Sequence, residues 1–358
     1  ECVWKGVEKA CREEGIRPLA FAGGCLENPQ EFLSRQNVVY DLVSRDRLDG
    51  LIVISGVLGN FTGPEKLDHF MKRFSPLPMV SIGVELPSCR NLVVDSSIGM
   101  HECLQHLIRD HGYRKIAFIR GPKNNPEAEQ RYRAYREALH AYGIAVDESL
   151  VARGDFTAPS GMEAVAALLE SHSSSIEAIV AANDTMAIAA LMELRRRGIR
   201  VPKDMALAGF DDVVESRYIN PPLTTVRQPL FKMGYKAVAQ LSALMAGDDV
   251  ISKVSLPTRL MIRRSCNCTG GDWKYVLIER DPESAINGNR QQGRNHTTGG
   301  DGMASVYPDE AGENFHEKEI TAALVQEMEN SFSGYKDAIR TYDWSKRIAA
   351  TLLSGIKG

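Results

Sequence analysis

The sequence predicts an α/β protein built on parallel sheets. Short apolar runs alternate with segments of helical periodicity, as in strands that are buried on both faces, and these runs lie at residues 51–54, 79–82, 116–119 and 178–182. In the best-defined unit, residues 177–229, one strand ends at Asn183 and the next ends at Asp211. A strand, a helix and a second strand form a βαβ unit, and ligands bind beyond the carboxyl ends of such strands.

The remaining elements follow from the same patterns. Val3, Val7, Ala10 and Cys11 share one face of a first helix, which Gly15 ends. Asp95 or Ser96 is expected to cap a helix that continues to Asp110. Further helices are predicted at residues 32–42, 64–74, 128–142, 160–170 and 230–245, and further strands at residues 19–22, near Val151 and at residues 205–210.

Several stretches carry a resemblance to a known family. IVAANDTMAIAAL, GIRVPKDMALAGFDD and PPLTTVRQPL resemble the ligand-binding core of the LacI/GalR repressors, which has the type 1 periplasmic-binding-protein fold. The likeness continues upstream in HLIRDHGYRKIAFIRGP and RYRAYREAL, and it ends at LPTRLMIRRSCNC. It covers residues 1–268 and depends on the order and spacing of these motifs together.

The resemblance implies two lobes, each with a doubly wound parallel sheet, joined by a three-strand hinge around a ligand cleft. We expect the N-terminal lobe at residues 1–121 plus 229–253 and the C-terminal lobe at residues 122–228 plus 254–268. The first crossover between lobes is expected at residues 120–122. Family members begin with a strand before the first helix, so we expect that strand to be missing here and the sequence to be a fragment.

The composition changes after Cys268. Residues 269–316 are rich in Gly, Asn, Asp and Gln, which predicts a linker. Residues 317–358 have helical periodicity, and an apolar series from Ile320 to Tyr342 approaches a heptad seam that Gly334 interrupts. The sequence therefore predicts a mostly helical C-terminal tail, which either packs on its own domain or pairs as a dimeric signalling helix.

The resemblance also implies ligand-binding residues. The family binds its ligands through an Arg in the helix after the first crossover, an Asn after the VAAND strand and an Asp after the GFDD strand. The matching positions are Arg131, Asn183 and Asp211, while Phe156 matches an apolar stacking position and Ser55 is a candidate in the first lobe. Guanidinium donates, carboxylate accepts and amide does both, which suits a sugar-like or nucleoside-like ligand.

Other residues near these positions have different interpretations. Asp184 is expected to cap the helix that follows it, and Asp212 to cap the next element. Many family members carry Asp or Asn where this chain has Gly83, so a polar ligand contact is lost there. The sugar specificity of the family therefore cannot be carried over to this chain.

The cysteines and histidines do not predict a metal site or a disulfide framework. The seven cysteines are odd in number and irregularly spaced. Cys266 and Cys268 form one C-x-C without a second pair or a histidine at ligand spacing, so we expect reduced thiols, which favour the cytoplasm. His101, His106 and His111 are expected to be ordinary surface or packing residues. No cofactor is predicted.

The bulk properties and motifs exclude several classes of protein. The net charge of −3 argues against a chain that grips nucleic acid by itself, and no apolar run approaches the roughly 18 residues that span a bilayer. No nucleophile with a base, no phosphate loop and no metal constellation indicates an enzyme.

We therefore predict the small-molecule-sensing domain of a bacterial LacI-like transcription regulator or signalling fusion. The complete protein is expected to be a homodimer that contacts DNA only through a segment outside this chain, without a membrane partner. The alternative is a solute-binding receptor of a transport system.

Overall fold

The computed structural model describes residues 2–29, 34–172 and 175–268, and the predicted linker and helical tail lie outside the described residues. In chain order the helices are α1 (Cys2–Glu14), α2 (Ser55–Leu58), α3 (Pro64–Lys72), α4 (Ser96–Gln105), α5 (Pro126–Ala141), α6 (Ala158–His172), α7 (Asp184–Arg196), α8 (Glu215–Tyr218) and α9 (Leu230–Ala246). The strands are β1 (Leu51–Val53), β2 (Met79–Ile82), β3 (Arg90–Asp95), β4 (Ile116–Ile119), β5 (Val151–Ala152), β6 (Ala178–Ala181), β7 (Ala206–Ala208), β8 (Thr225–Arg227), β9 (Lys253–Pro257) and β10 (Arg259–Met261).

The first lobe is a parallel sheet in the order β1-β2-β3-β9 with helices on both faces. Helices α1 and α9 pack together on one face, where Val7, Val80 and Met233 belong to one buried cluster. Their backbones touch, because a Cβ on Gly234 would overlap the carbonyl oxygen of Val3. On the other face, Leu67 and Met71 of α3 pack with Met79 in a second cluster.

Three predictions for the first lobe are wrong. Residues 19–22 form no strand, since the described residues provide them with no pairing partner, and Leu19 is 66% exposed. Gln36–Leu42 is a 3-10 helix rather than part of an α-helix. Strand β3 was missed, although it lies between β2 and β9 in the sheet, because its apolar run is short and begins after the polar Asn91.

The second lobe is a parallel sheet in the order β5-β4-β6-β7. Helix α4 packs with α5 and helix α6 packs with α7, so that the sheet is covered by two pairs of helices. Phe118 of β4 stacks on Tyr135 of α5, with ring centroids 4.8 Å apart, and both side chains are fully buried. These two lobes confirm the predicted two-lobed α/β fold.

The lobe boundaries differ from the prediction at two places. Strand β4 pairs with β5 and β6, and Leu104 of α4 is buried in the same core as Phe118, so residues 96–121 belong to the second lobe. The first crossover therefore lies at Asp95, not at residues 120–122. Strand β9 pairs with β3, so residues 254–257 belong to the first lobe. In both cases backbone pairing, which the motifs do not report, decides the lobe.

Within the described residues, three crossovers connect the lobes, after β3, after β8 and after β9. Strand β10 pairs antiparallel with β8 beside the first crossover. The Thr258 hydroxyl links two crossovers, because it donates to the carbonyl oxygen of Asp95 at 2.8 Å and accepts from the Gly99 N–H at 3.0 Å. No helix among the described residues is both long and apolar enough to cross a membrane.

Candidate functional site

Arg131 belongs to helix α5, and its side chain reaches the carboxyl end of β6. Asn125 caps α5 by accepting from the N–H groups of Glu127 and Ala128 at 3.0 and 3.1 Å, which fixes the start of the helix. The Arg131 guanidinium donates to the carbonyl oxygen of Ala182 at 2.7 Å and lies 3.9 Å from the centre of the Phe210 ring. Only 2% of Arg131 is exposed, so its charge is held in place by the protein.

Asn183 is the N-cap of helix α7. Its side-chain oxygen accepts from the Met186 N–H at 2.9 Å, and its amide nitrogen donates to the carbonyl oxygen of Phe156 at 3.1 Å. One amide N–H and one oxygen lone pair remain for another partner. Asn183 thus joins two of the segments that were predicted to carry the site.

Asp184 does not cap α7, contrary to the prediction. Its carboxylate is fully buried and accepts from the Thr225 hydroxyl at 2.5 Å and from the Val213 N–H at 3.0 Å. Burial and the nearby Asp211 carboxylate raise the pKa of Asp184 well above its usual value. Asp184 therefore braces the end of β6 against the hinge strand β8.

Asp211 faces Arg131 from the end of the neighbouring strand. Its Oδ1 lies 3.6 Å from Arg131 Nη1 and accepts from Gln228 Nε2 at 2.6 Å. Burial raises the pKa of Asp211 to about 6, although the Arg131 charge acts to lower it. At 3.6 Å the pair is too long for a direct hydrogen bond, so both groups keep hydrogen-bonding capacity.

Backbone strain coincides with this cluster. Asp211 has a φ of 120° and Phe156 has a φ of 72°, values that residues with a Cβ rarely adopt. Each such residue costs on the order of 1–3 kcal/mol and persists only where its surroundings fix it. Strain of this kind is concentrated at binding sites, and here it occurs at two of the predicted ligand contacts.

Asp212 belongs to a different network and is not a helix cap. Its buried carboxylate forms ion pairs with Arg263, with Arg227 at 2.5 Å and with Arg217 at 3.4 Å. Burial acts to raise the pKa of Asp212, but Arg263 and Arg227 hold it below its usual value. This carboxylate serves the packing of the second lobe, while its neighbour Asp211 points to Arg131.

Phe156 closes the same side of the site. Phe156 lies on the loop between β5 and α6, and the centre of its ring is 5.6 Å from the guanidinium carbon of Arg131. The ring packs so closely on the loop after β4 that a Cβ on Gly121 would overlap it. Arg131, Asn183, Asp211 and Phe156 are therefore brought together as predicted by the resemblance, at the strand ends of the second lobe.

Ser55 is not brought to this cluster. It is fully buried inside the first lobe, where its hydroxyl oxygen lies 2.6 Å from Ser81 Oγ and 2.8 Å from the carbonyl oxygen of Ile82. It also accepts from the Val84 N–H at 2.9 Å. The Ser55 hydroxyl is therefore engaged in bonds that hold the start of α2. Ser55 is not part of the proposed site.

Two glycines of the first lobe, Gly56 and Gly83, lie next to each other and close to Glu127 of the second lobe. Gly83 has a φ of 109°, and a Cβ on it would lie 2.8 Å from the Gly56 nitrogen. A side chain such as the Asp or Asn of many family members would be strained and crowded here. A Cβ on Gly56 would lie 3.2 Å from Oε2 of Glu127, so the carboxylate of this second-lobe residue reaches the first lobe.

Two buried donors near the site have no hydrogen-bond partner within the described part of the chain. They are Nε of Arg131 and Nδ2 of Asn125. A buried donor without an acceptor costs about 1–3 kcal/mol, so such groups are usually paired. The contacts of Asn125, Glu127 and Gln228 were not predicted, although Asn125-Pro126 before a helical pattern is a recognisable N-cap signal.

Another concavity lies on the outer surface of the second lobe. It has a volume of about 590 Å³ and is lined by Arg195, Arg200, Arg264 and Cys268, among others. None of the predicted ligand contacts lines it. The polar cluster between the lobes therefore remains the candidate binding site.

Two parallel sheets joined by three crossovers, with polar side chains at the strand ends of the cleft, define a ligand-binding domain of the periplasmic-binding-protein type. The profile of the periplasmic binding protein-like domain family matches residues 104–266. The chain is 36% identical over 254 residues to the transcriptional regulator AscG of Escherichia coli (strain K12), a match that covers 71% of this chain and 72% of AscG. The chain belongs to the LacI family of transcription regulators.

Two further comparisons agree with this assignment. The chain is 38% identical over 185 residues to the transcriptional regulator CelR of Thermobifida fusca. The match covers 51% of this chain and only about half (54%) of CelR. The solved structure of a CelR–cellobiose complex superimposes with a TM-score of 0.63 at 31% identity, over 74% of this chain and 78% of the other.

Proposed function

We propose that this chain is the effector-sensing domain of a LacI-type transcription regulator and binds a sugar-like or nucleoside-like molecule between its lobes. The observation that carries the proposal is the pair formed by the buried Arg131 of α5 and the partly buried Asp211 after β7, whose Nη1 and Oδ1 atoms lie 3.6 Å apart. The two groups face each other without a direct hydrogen bond, in the cleft where this fold holds its ligands.

Each residue has a distinct part in the proposed complex. The Asp211 carboxylate accepts hydrogen bonds from ligand hydroxyl or N–H groups. Arg131 donates from its unpaired Nε, and the remaining amide capacity of Asn183 adds one donor and one acceptor. Phe156 offers a ring face for the apolar side of a sugar or base. A ligand with several hydroxyl groups satisfies these groups together, whereas an apolar ligand leaves them unpaired.

The comparisons favour regulation over transport and over catalysis. AscG and CelR are transcription regulators, and CelR has been solved as a complex with cellobiose. We infer that this chain holds its ligand without turning it over, in the cytoplasm. Its complete protein is expected to be a homodimer that contacts DNA through a segment outside these residues.

The signal is proposed to be closure of the cleft. A ligand that contacts both lobes stabilises the closed arrangement by its greater affinity for that arrangement. Glu127 of the second lobe already approaches Gly56 of the first, so a small change in the cleft alters contacts in both lobes. The first lobe, whose outer face carries α1 and α9, then changes its orientation relative to the second.

Calorimetric titration of the full chain tests this proposal, with cellobiose, monosaccharides, nucleosides and purine bases as ligands. For the ligand that binds, Asp211→Asn is expected to weaken binding by about 1–3 kcal/mol, or roughly 5- to 150-fold, because the replacement removes a charged acceptor. Asp204→Asn is the matched control, since Asp204 pairs with Arg200 on the surface. Equal affinity in the wild type and Asp211→Asn contradicts the proposed site, and the lack of any binding contradicts the function.

A further inference from the structure

Four potential metal ligands from two distant parts of the chain meet at one point. His106 and His111 follow helix α4, and Cys266 and Cys268 lie near the end of the described chain. One ligand atom from each residue lies within 4.8 Å of all the others. His106 and Cys266 are buried, whereas His111 and Cys268 are partly exposed, which leaves a path from solvent to the cluster.

Four of the six distances between the ligand atoms are close to those of a tetrahedral site. His106 Nε2 lies 3.5 Å from Sγ of Cys266 and 3.5 Å from Sγ of Cys268. His111 Nε2 lies 3.4 Å from Cys268 Sγ and 3.1 Å from His106 Nε2. Around zinc, with Zn–S bonds of about 2.3 Å and Zn–N bonds of about 2.0–2.1 Å, neighbouring ligand atoms of a tetrahedron lie about 3.3–3.8 Å apart.

Two local departures from regular backbone create this convergence. His106–Asp110 is a π-helical turn that continues α4, and its wider turn brings His111 next to His106, five residues earlier. On the other segment, Asn267 has a φ of 79°, which turns the chain so that Cys266 and Cys268 both reach the histidines. Such π turns are frequent at functional sites.

Neighbouring side chains orient three of the four ligands. His106 Nδ1 lies 2.9 Å from Asp110 Oδ2, so the other ring nitrogen is directed to the cluster. This is the carboxylate–histidine arrangement that usually supports a histidine ligand of a metal. The Thr224 hydroxyl donates to Cys266 Sγ at 3.1 Å, and the His111 ring stacks on Tyr113 with centroids 5.5 Å apart.

We propose that His106, His111, Cys266 and Cys268 bind one Zn²⁺ ion as a structural Cys₂His₂ site. Two thiolates and two imidazoles in a tetrahedron suit zinc, whereas magnesium and calcium prefer oxygen ligands. Four protein ligands complete the coordination and leave no open position for catalysis. The proposal departs from our expectation of no metal, which rested on the linear spacing of the C-x-C pair.

The proposed ion ties the last described residues to the end of α4. Cys266 and Cys268 follow β10 and the 3-10 turn Arg264–Cys266, whereas His106 and His111 precede β4. The ion therefore holds residues 266–268 against the end of α4. This role is independent of effector binding, because none of the four residues belongs to the proposed effector site.

The first test measures the metal in the full 358-residue chain, purified under reducing conditions without chelator. Mass spectrometry is expected to find about one zinc per chain in the wild type and less than about a tenth of that in Cys268→Ser and His111→Gln. Cys2→Ser and His101→Gln are the matched controls, since Cys2 is exposed, His101 is partly exposed and both lie outside the cluster, and they are expected to retain zinc.

A second measurement needs no variant and covers the case in which a variant fails to fold. X-ray absorption at the zinc edge of the wild type is expected to find two sulfur and two nitrogen neighbours. Cobalt added to the metal-free wild type is expected to give thiolate charge-transfer and tetrahedral ligand-field bands.

Three results overturn the proposal. The first is that the wild-type chain neither contains nor takes up zinc. That result is expected if the four residues form only a hydrogen-bonded thiol–imidazole cluster, or if Cys266 and Cys268 form a disulfide. The second is equal zinc in Cys268→Ser and in Cys2→Ser. The third is a zinc coordination shell of oxygen and nitrogen alone.

Discussion

The adjacent carboxylates Asp211 and Asp212 are expected to affect stability in opposite directions. At pH 8, Asp211→Asn should make the ligand-free full chain more stable, whereas Asp212→Asn should make it less stable. Burial raises the pKa of Asp211 to about 6, while Arg263 and Arg227 hold the pKa of the buried Asp212 below its usual value. These neighbouring carboxylates thus differ in the charged partners that offset their burial.

The magnitude for Asp211 follows from its pKa. A rise from 3.8 to about 6 is roughly two units, which corresponds to at most about 3 kcal/mol at 1.36 kcal/mol per unit. Since 22% of the side chain is exposed, solvent reduces this value, and we expect a gain of about 1–3 kcal/mol in Asp211→Asn.

The sign follows from proton binding. The folded chain holds the Asp211 proton up to a higher pH than the unfolded chain, so this residue costs stability as the pH rises through about 6. The advantage of Asp211→Asn should therefore be complete at pH 8 and absent below about pH 4, where the carboxyl is protonated in both states.

Asp212 has the reverse dependence. Because its pKa is lowered in the folded chain, Asp212 stabilises the fold at any pH above the pKa that this carboxyl has in the unfolded chain. The contribution is lost as the pH falls through the pKa of the folded chain. Removing one partner from a buried ion network costs about 3–5 kcal/mol, which is the loss expected for Asp212→Asn at pH 7.

Urea unfolding followed by circular dichroism between pH 4 and pH 8 measures both effects. The reasoning is refuted if Asp211→Asn is no more stable than the wild type at pH 8, or if both variants change stability in the same direction. Asp204→Asn on the surface controls for the loss of a carboxylate.

Three further predictions concern binding, packing and assembly. Effector affinity in the wild type should fall by up to about tenfold from pH 7 to pH 5 as Asp211 takes up a proton, and calorimetry of Asp211→Asn should show little change over the same range. Gly234→Ala should lower stability by about 1–3 kcal/mol because its Cβ overlaps Val3, whereas Gly63→Ala, with open space around it, should change thermal unfolding little. Light scattering should find a dimer for the full chain and weaker association for a chain that ends at Cys268. Equal association of both lengths would exclude a contribution from the tail.

The fold was predictable because its strands and helices have strong and different periodicities. The run at residues 178–182 is apolar at every position, and β6 lies at the centre of the second sheet with all its residues buried. The crossovers were harder, because a crossover has no periodicity of its own. The sequence pattern of residues 96–121 is compatible with either lobe, and the pairing of β4 with β6 assigns them to the second.

The candidate site was predictable only in part. Asn183 and Asp211 follow strands, and strand ends of a parallel sheet converge, so their proximity follows from the pattern. The proximity of His106 and Cys266 could not be predicted from the pattern, because these residues are 160 positions apart and meet through a π turn. The cap of α7 was assigned one residue too late, since both Asn183 and Asp184 are good caps and only backbone geometry decides between them.

The hydroxyl of Thr258 has a mechanical consequence for the whole domain. Because it bonds to Asp95 on one crossover and to Gly99 at the start of α4 while belonging to another crossover, bending of either connection strains the other. The pairing of β8 with β10 couples the remaining connection to them. The three connections should therefore bend together when the lobes move relative to each other. An effector that holds them in one arrangement sets the orientation of the first lobe relative to the second.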